Sequence, residues 1–97
     1  MPDKKTIRLI ANKLDLKNIP DDNKSYQEQF ETLAAYIEQL IQTDFNRLIA
    51  ILYRIDVNED KLRKVLDEHK NTSSGKIIAK LMIEREAEKI KWREKYR

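Results

Sequence analysis

Glycine is almost absent from this chain, because one glycine and two prolines occur in 97 residues. Sheets joined by tight turns use glycine at their left-handed positions, whereas helices are weakened by glycine and do without it. Hydrophobic residues make up 40% of the sequence, which is enough for one modest core. We therefore predict an all-α fold: a small helical bundle of four or five helices with short loops, in a single domain spanning residues 1–97.

Two absences narrow the function. The chain contains no cysteine, so disulfides, zinc–thiolate sites and thiol nucleophiles are excluded. The apolar residues near the N-terminus are interrupted by charge, and no apolar run approaches the ~18 residues that a membrane helix needs. We expect no signal-peptide core, no membrane span and a cytoplasmic location.

Helical periodicity marks the first part of the chain. A first apolar face consists of Ile7, Ile10, Ala11 and Leu14. Asp3 is the candidate cap of this helix, which should fade by residues 15–17, and the turn-forming residues 18–23 predict a loop around Pro20. Ser25 and Glu28 then have the spacing of a capping box. The apolar stripe that follows the box consists of Tyr26, Phe30, Leu33, Ala34, Ile37, Leu40 and Ile41.

Asp44 decides whether residues 25–55 form one helix or two. A further apolar stripe follows it, made of Phe45, Leu48, Ile49, Leu52 and Ile55. In a continuous helix the Asp44 carboxylate would point into the core, where an unpaired charge is costly. A break near residues 42–44 lets Asp44 or Thr43 cap a new helix instead. We predict the break; the alternative is a continuous helix in which Arg47 or Arg54 pairs with Asp44.

The segment DVNEDK, residues 56–61, carries oxygen ligands at alternate positions, as the start of an EF-hand calcium loop does. Lys61 stands where that loop needs glycine, and Asp67 stands where it needs a bidentate glutamate. A helix start explains the segment better. Asn58 would be the N-cap, Val57 and Leu62 a hydrophobic staple, and the acidic residues that follow Asn58 would face the positive end of the helix dipole.

The positive charge of the chain is concentrated at its C-terminal end. The net charge is +3, yet residues 1–75 hold 12 Lys and Arg against 13 Asp and Glu, and residues 76–97 hold 8 against 4. Ser73 or Ser74 can cap the last helix, which begins apolar nearly all round, as a central element does. From about residue 85 the helix becomes charged and is expected to run along or beyond the edge of the core.

This charged end supplies the candidate binding residues. The predicted partner-binding residues are Lys89, Lys91, Trp92, Arg93 and Tyr96. Aromatic side chains between cations suit single-stranded nucleic acid. The i, i+4 spacing of Trp92 and Tyr96 also suits a partner helix or a membrane surface. Glutamates dilute the positive field, and the two aromatics can instead cover the end of the bundle.

The remaining motifs do not predict catalysis. The segment Ser74-Gly75-Lys76 lacks the second glycine and the following Ser or Thr of a phosphate-binding loop. His69 is the single histidine, and it has neither cysteine nor a second histidine to complete a zinc site. We predict no enzyme activity, no metal and no cofactor. The function remains unknown at this level. The leading hypothesis is a protein-interaction or assembly module that uses the last helix, with a homodimer as one arrangement. The alternative is a nucleic-acid-associated accessory protein that uses the basic, aromatic C-terminal helix.

Two runs carry a resemblance to known proteins. The runs TDFNRLIAILYRIDVNEDKL (residues 43–62) and IIAKLMIEREAEKIK (residues 77–91) resemble segments of small, uncharacterised helical proteins from bacteria. This resemblance implies a helical fold in a bacterial cytosolic protein and brings no activity, ligand or functional residue with it.

Overall fold

The computed structural model describes residues 4–14, 23–68 and 73–95, and these residues form five helices and no strand. The helices are α1 (Lys4–Lys13), α2 (Tyr26–Thr43), α3 (Phe45–Ile55), α4 (Glu59–Glu68) and α5 (Ser74–Lys95). The all-α bundle is thereby confirmed. All four side chains of the first predicted apolar face are buried: Ile7, Ile10, Ala11 and Leu14. The predicted Asp3 cap, the fading of the helix over residues 15–17 and most of the loop lie outside the described residues.

Short side chains define where the second and third helices begin. The Ser25 hydroxyl accepts a hydrogen bond from the Glu28 amide at 3.1 Å, and it lies 3.3 Å from the Glu28 carboxylate. At Asp44 the backbone N–H donates to the Leu40 carbonyl, which closes α2. The Asp44 carboxylate accepts from the Arg47 amide at 3.1 Å and opens α3. The break that Asp44 predicted is confirmed, and residues 25–55 contain two helices.

The segment DVNEDK is the junction between α3 and α4. Asp56 adopts the left-handed conformation, with φ 66° and ψ 47°, and its backbone N–H contacts the carbonyls of the last turn of α3. The Asn58 side chain accepts from the Lys61 amide at 3.0 Å, so Asn58 is the N-cap of α4. Val57 and Leu62 are half-buried against the core. The interpretation of this segment as a helix start is confirmed.

α5 is the central element, and its largest interface is with α2. The predicted apolar run at its start is buried: Ile77, Ile78, Ala79, Leu81, Met82 and Ile83. Ser73 precedes the helix, and its carbonyl accepts from the Ile77 amide. The Ser73 hydroxyl donates to the Glu38 carboxylate of α2 at 2.9 Å. The same carboxylate oxygen accepts from the Gly75 amide at 2.6 Å, so Glu38 supplies the cap from another helix.

One sequence prediction about the core is wrong. The periodicity predicts that Phe45 and Ile49 belong to the apolar stripe of α3, but their side chains are 55% and 43% exposed. The helix is apolar on most of its circumference, so periodicity did not indicate which edge the other helices cover. Ile51 joins Leu48, Leu52 and Ile55 in the core, and this shifts the buried face away from Phe45.

Candidate functional site

Side chains from one face of α5 surround a surface hollow. The hollow has a volume of about 460 Å³ and is lined by Arg85, Lys89, Trp92 and Arg93. At about 100° per residue, these four positions fall within roughly a third of the helix circumference. Trp92 is 63% exposed, so much of its indole ring is accessible to a ligand. We call this cavity the Trp92 hollow.

The structure brings together three of the five predicted partner-binding residues. Lys89, Trp92 and Arg93 share the Trp92 hollow. Lys91 is exposed, and the helical twist places it on the opposite side of α5. Tyr96 lies outside the described residues. Arg85 was not predicted, although its position one helical turn before Lys89 places it on the same face.

A buried carboxylate lies close to the Trp92 hollow. Glu86 is 1% exposed, and both of its oxygens accept from the Lys13 ammonium, at 3.0 and 2.9 Å. The Arg93 guanidinium is 3.7 Å from the same carboxylate. The Lys13 ammonium serves both oxygens of Glu86 and its side chain remains 33% exposed. Since Lys13 ends α1 and Glu86 lies on α5, this ion pair joins the two helices. Glu86 therefore sits beneath the cations and does not add an exposed negative charge to this surface.

A second cavity lies where the end of α1 meets α3. It has a volume of about 290 Å³ and is lined by Lys13, Leu14, Arg47, Ala50, Ile51 and Arg54. The Arg54 guanidinium donates to the Lys13 carbonyl at 2.7 Å, at the C-terminal end of α1, where helix carbonyls lack partners. Every charged residue that lines this cavity is a cation. We call it the Arg47 cleft.

Arg85 connects the end of α3 to α5. Its guanidinium donates to the Asp56 carbonyl and to the Asp56 carboxylate, both at 3.0 Å, and to Glu88 at 3.2 Å. The hydrogen bond to Asp56 raises the pKa of Arg85, with desolvation opposing it and Glu88 adding to it. Asp56 has a positive φ as the C-cap of α3, and these contacts anchor that cap to α5.

The surroundings of Lys89 disfavour the charged form of its side chain. Desolvation lowers the pKa of the Lys89 ammonium, and repulsion from Lys13 and Arg85 lowers it further, while Glu86 and Asp56 partly compensate. The unfolded chain, in which this lysine has its ordinary pKa of 10.5, therefore binds the proton more tightly than the folded chain. Stability then increases with pH between the lowered pKa and 10.5.

Replacing Lys89 with methionine is expected to stabilise the fold. The apolar stem is kept and the disfavoured charge is lost, so the free energy of unfolding at pH 7 should increase, by less than about 1 kcal/mol because solvent screens the half-exposed ammonium. Urea denaturation followed by circular dichroism measures the change. The matched variant Lys91→Met, on the opposite side of α5, should change stability by under about 0.5 kcal/mol. Equal effects of the two substitutions would contradict charge crowding at Lys89.

A separate apolar surface runs along α3. Phe45, Ile49 and Tyr53 occur at every fourth position, and their exposed fractions are 55%, 43% and 86%. Side chains with this spacing lie on one side of a helix. Arg47 and Arg54 extend from a different flank, since the helical twist separates them from the row by more than about 100°. We call these three side chains the α3 stripe.

Within the described ranges, no three side chains of His, Cys, Asp or Glu come together as a metal site would require. None of the described helices is long and apolar enough to cross a membrane. His69 lies outside the described residues. The described surface does carry clustered cations, an exposed indole ring and an apolar stripe.

Comparison with protein-family models, curated proteins and solved structures found no match to this chain. The resemblance to small bacterial helical proteins therefore stays a prediction, and the function has to be inferred from the surface.

Proposed function

We propose that this protein is a non-catalytic assembly module, and that it forms a homodimer through the α3 stripe. The observation that carries this proposal is the exposure of Phe45, Ile49 and Tyr53 in a single row on one helix. Large aromatic and aliphatic side chains in a contiguous exposed patch mark interaction surfaces in soluble proteins. We further propose a cytoplasmic location, which suits a chain without cysteine.

The spacing of the stripe favours a second copy of the same chain as the partner. Phe45 and Tyr53 lie four residues on either side of Ile49, or about 6 Å along the helix axis. If two α3 helices pack antiparallel with Ile49 on the two-fold axis, each Phe45 meets the Tyr53 of the other copy. Such an interface is self-complementary, as a two-fold dimer requires, and the antiparallel helix dipoles attract each other.

Charge and area are consistent with a weak dimer. No charged residue belongs to the stripe, so bringing two copies together causes no direct charge repulsion there. Aromatic side chains bury about 150–250 Å² each, so the exposed parts of the stripe supply a few hundred Å² per copy. That is roughly half of the ~800 Å² per partner of a standard interface. We therefore expect dissociation in the micromolar range.

Replacing Ile49 with glutamate is expected to abolish the dimer. Two carboxylates would then face each other across the two-fold axis and resist desolvation. Sedimentation equilibrium over a concentration series should show a monomer–dimer equilibrium for the natural chain and only monomer for Ile49→Glu. The control Ala35→Glu adds the same charge at an exposed position of α2 and should leave the dimer intact. Circular dichroism establishes that both variants are folded.

Cysteine cross-linking tests the arrangement. Because the chain has no cysteine, Ile49→Cys introduces a single thiol that the two-fold axis would place opposite its own copy. Mild oxidation should convert Ile49→Cys to a covalent dimer, and Ala35→Cys should remain monomeric. A monomer at high micromolar concentration, together with no faster cross-linking at residue 49 than at residue 35, would refute the proposal.

The predicted contact of Lys89, Lys91, Trp92, Arg93 and Tyr96 with a protein partner is a separate prediction. A chain that ends before Trp92 tests this prediction. Because the truncation leaves the α3 stripe unchanged, loss of a protein partner would assign that contact to the last helix.

A further inference from the structure

Cations from three helices form a continuous surface on this protein. We use the name cationic band for Lys13 at the end of α1, Arg47 and Arg54 on α3, and Lys89 and Arg93 on α5. We propose that the cationic band binds single-stranded nucleic acid, with its cations on successive phosphates and Trp92 stacked on a base. This inference goes beyond the assembly function and does not depend on the dimer.

Direct contacts make the band continuous. The Arg54 guanidinium donates to the Lys13 carbonyl at 2.7 Å, and the Lys13 ammonium donates to Glu86 at 2.9 Å. The Arg93 guanidinium lies 3.7 Å from that same glutamate. These contacts run from Arg54 on α3 to the Lys13 backbone at the end of α1, and through Glu86 beneath the surface to Arg93 on α5. Three helices fix the relative positions of the cations before any ligand arrives, which reduces the ordering cost of binding.

A cavity with only cationic charges lies at each end of the band. The Arg47 cleft has a volume of about 290 Å³, and the Trp92 hollow one of about 460 Å³. No carboxylate lines either cavity. Guanidinium groups match phosphate oxygens in shape and charge. Concave surfaces lined by one sign of charge also concentrate ligands of the opposite sign.

The nearby acidic residues are mostly neutralised by contacts within the protein. Glu86 is buried beneath Lys13. Asp56 and Glu88 both accept hydrogen bonds from Arg85, which leaves the Lys89 and Arg93 charges without these carboxylates as partners. Glu94 lies outside the Trp92 hollow, although it shares a neighbouring hollow with Lys5 and with Arg93 of the band. The glutamates that dilute the positive charge of the C-terminal sequence therefore oppose an anion at the band much less than their number predicts.

The crowding of Lys89 supports an anionic ligand. Repulsion from Lys13 and Arg85 contributes to the lowered pKa of Lys89, so the three ammonium and guanidinium charges are closer than they would be without a fold to hold them. A phosphate between them would remove this repulsion and raise the pKa of Lys89 again. The strain is the kind that binding sites retain at the expense of stability.

Trp92 distinguishes nucleic acid from other polyanions. Its indole is 63% exposed and shares a hollow with three cations, as an aromatic platform does in single-strand binding, where bases stack and cations hold the backbone. An acidic protein segment or an anionic bilayer would use the cations and gain less from an exposed aromatic ring among them. A duplex keeps its bases stacked inside and offers Trp92 no base face.

The chain contains one tryptophan, so Trp92 fluorescence reports binding directly. We expect quenching when the full-length protein is titrated with an oligothymidylate of about 12 nucleotides, within the ~4–16 nucleotides of typical single-strand sites. Each phosphate contact adds about −0.7 to the slope of log affinity against log salt for single strands. Lys13 is paired with the buried Glu86, so the other four cations of the band predict a slope of about −2.8.

Two variants test the band and the stack separately. Arg47→Gln should weaken binding about fivefold at ~0.1 M salt and make the slope shallower by about 0.7. Its matched control, Lys80→Gln, removes one exposed charge from the opposite face of α5 and should change neither quantity. Trp92→Phe, followed by a dye-labelled oligonucleotide, should retain most of the affinity, and Trp92→Ala should lose about 5- to 100-fold. Thermal melting verifies that each variant is folded.

Several results would overturn the proposal. One is the absence of quenching at low salt. Another is equal weakening by Arg47→Gln and Lys80→Gln, which would indicate diffuse charge attraction. A third is tighter binding to polyglutamate, or to phosphatidylglycerol vesicles, than to the oligonucleotide, which would assign the band to an acidic protein or to a membrane surface. Because Ile49→Glu lies outside the band, it should leave oligonucleotide binding intact whether or not the dimer forms.

Discussion

Replacing Lys13 with methionine should lower the free energy of unfolding by about 2–4 kcal/mol, because it leaves the Glu86 carboxylate buried without its main partner. Glu86 is 1% exposed and receives both of its short hydrogen bonds from Lys13. Breaking a fully buried ion pair from one side costs about 3–5 kcal/mol. The lower range applies here, since Lys13 is partly exposed and Arg93, at 3.7 Å, remains near the carboxylate.

The double variant Lys13→Met, Glu86→Leu separates this cause from a loss of packing. Replacing both members of a buried pair by apolar residues of similar size is often neutral or stabilising. Urea denaturation of the double variant should therefore recover most of the stability that Lys13→Met loses. Arg63→Met is the control, because it breaks an ion pair with Glu59 in which both side chains are 75% exposed, and such pairs contribute about 0–1 kcal/mol. A double variant as unstable as Lys13→Met would show that the lysine acts by packing alone.

The helix caps of this fold could be predicted from the sequence, because each capping side chain and the amide that it contacts are close in the chain. Ser25 contacts a residue three positions away, and so do Asp44 and Asn58. A cap needs only one polar side chain and the amides that follow it. The number of helices and the break between α2 and α3 therefore follow from sequence.

Contacts between helices could not be predicted from the sequence. Lys13 and Glu86 are 73 positions apart, and Glu38 and Gly75 are 37 apart. In a chain in which 38% of residues are charged, many oppositely charged pairs are compatible with the same helices, and only packing selects one. The same limit applies to the α3 stripe, because a helix that is apolar on most sides does not indicate which edge stays exposed.

In the candidate site, the sequence could group the residues that share one helix but not those that come from different helices. Lys89, Trp92 and Arg93 lie on adjacent turns of one helix, so the sequence was sufficient to group them. Lys13, Arg47 and Arg54 come to the band from other helices, and no spacing rule connects them to α5. Nucleic acid was disfavoured at the sequence level because of the glutamates near the C-terminus. The burial of Glu86 is the fact that weakens that objection, and burial is a property of the folded chain.

Replacing Gly75 with alanine is expected to destabilise the protein by about 2–4 kcal/mol, although the same change in an open helix is stabilising by about 1 kcal/mol. A β-carbon at this position would lie 2.5 Å from the Ala34 carbonyl oxygen and 2.6 Å from the Glu38 carboxylate. The carbonyl belongs to the backbone of α2 and cannot move aside alone. The two helices with the largest interface in the bundle would have to separate, and the hydrogen bond from the Gly75 amide to Glu38 would lengthen.

A double-mutant cycle with Glu38→Ala identifies which contact matters. Glu38→Ala alone leaves the Gly75 amide and the Ser73 hydroxyl without their acceptor and should cost about 1–3 kcal/mol. It also removes the carboxylate that the new β-carbon would meet, but it leaves the Ala34 carbonyl in place. If the backbone clash dominates, Gly75→Ala should still destabilise the Glu38→Ala background by at least about 1 kcal/mol. Urea denaturation of the four proteins measures this coupling, and a gain in stability from Gly75→Ala in either background would contradict the close approach of α2 and α5.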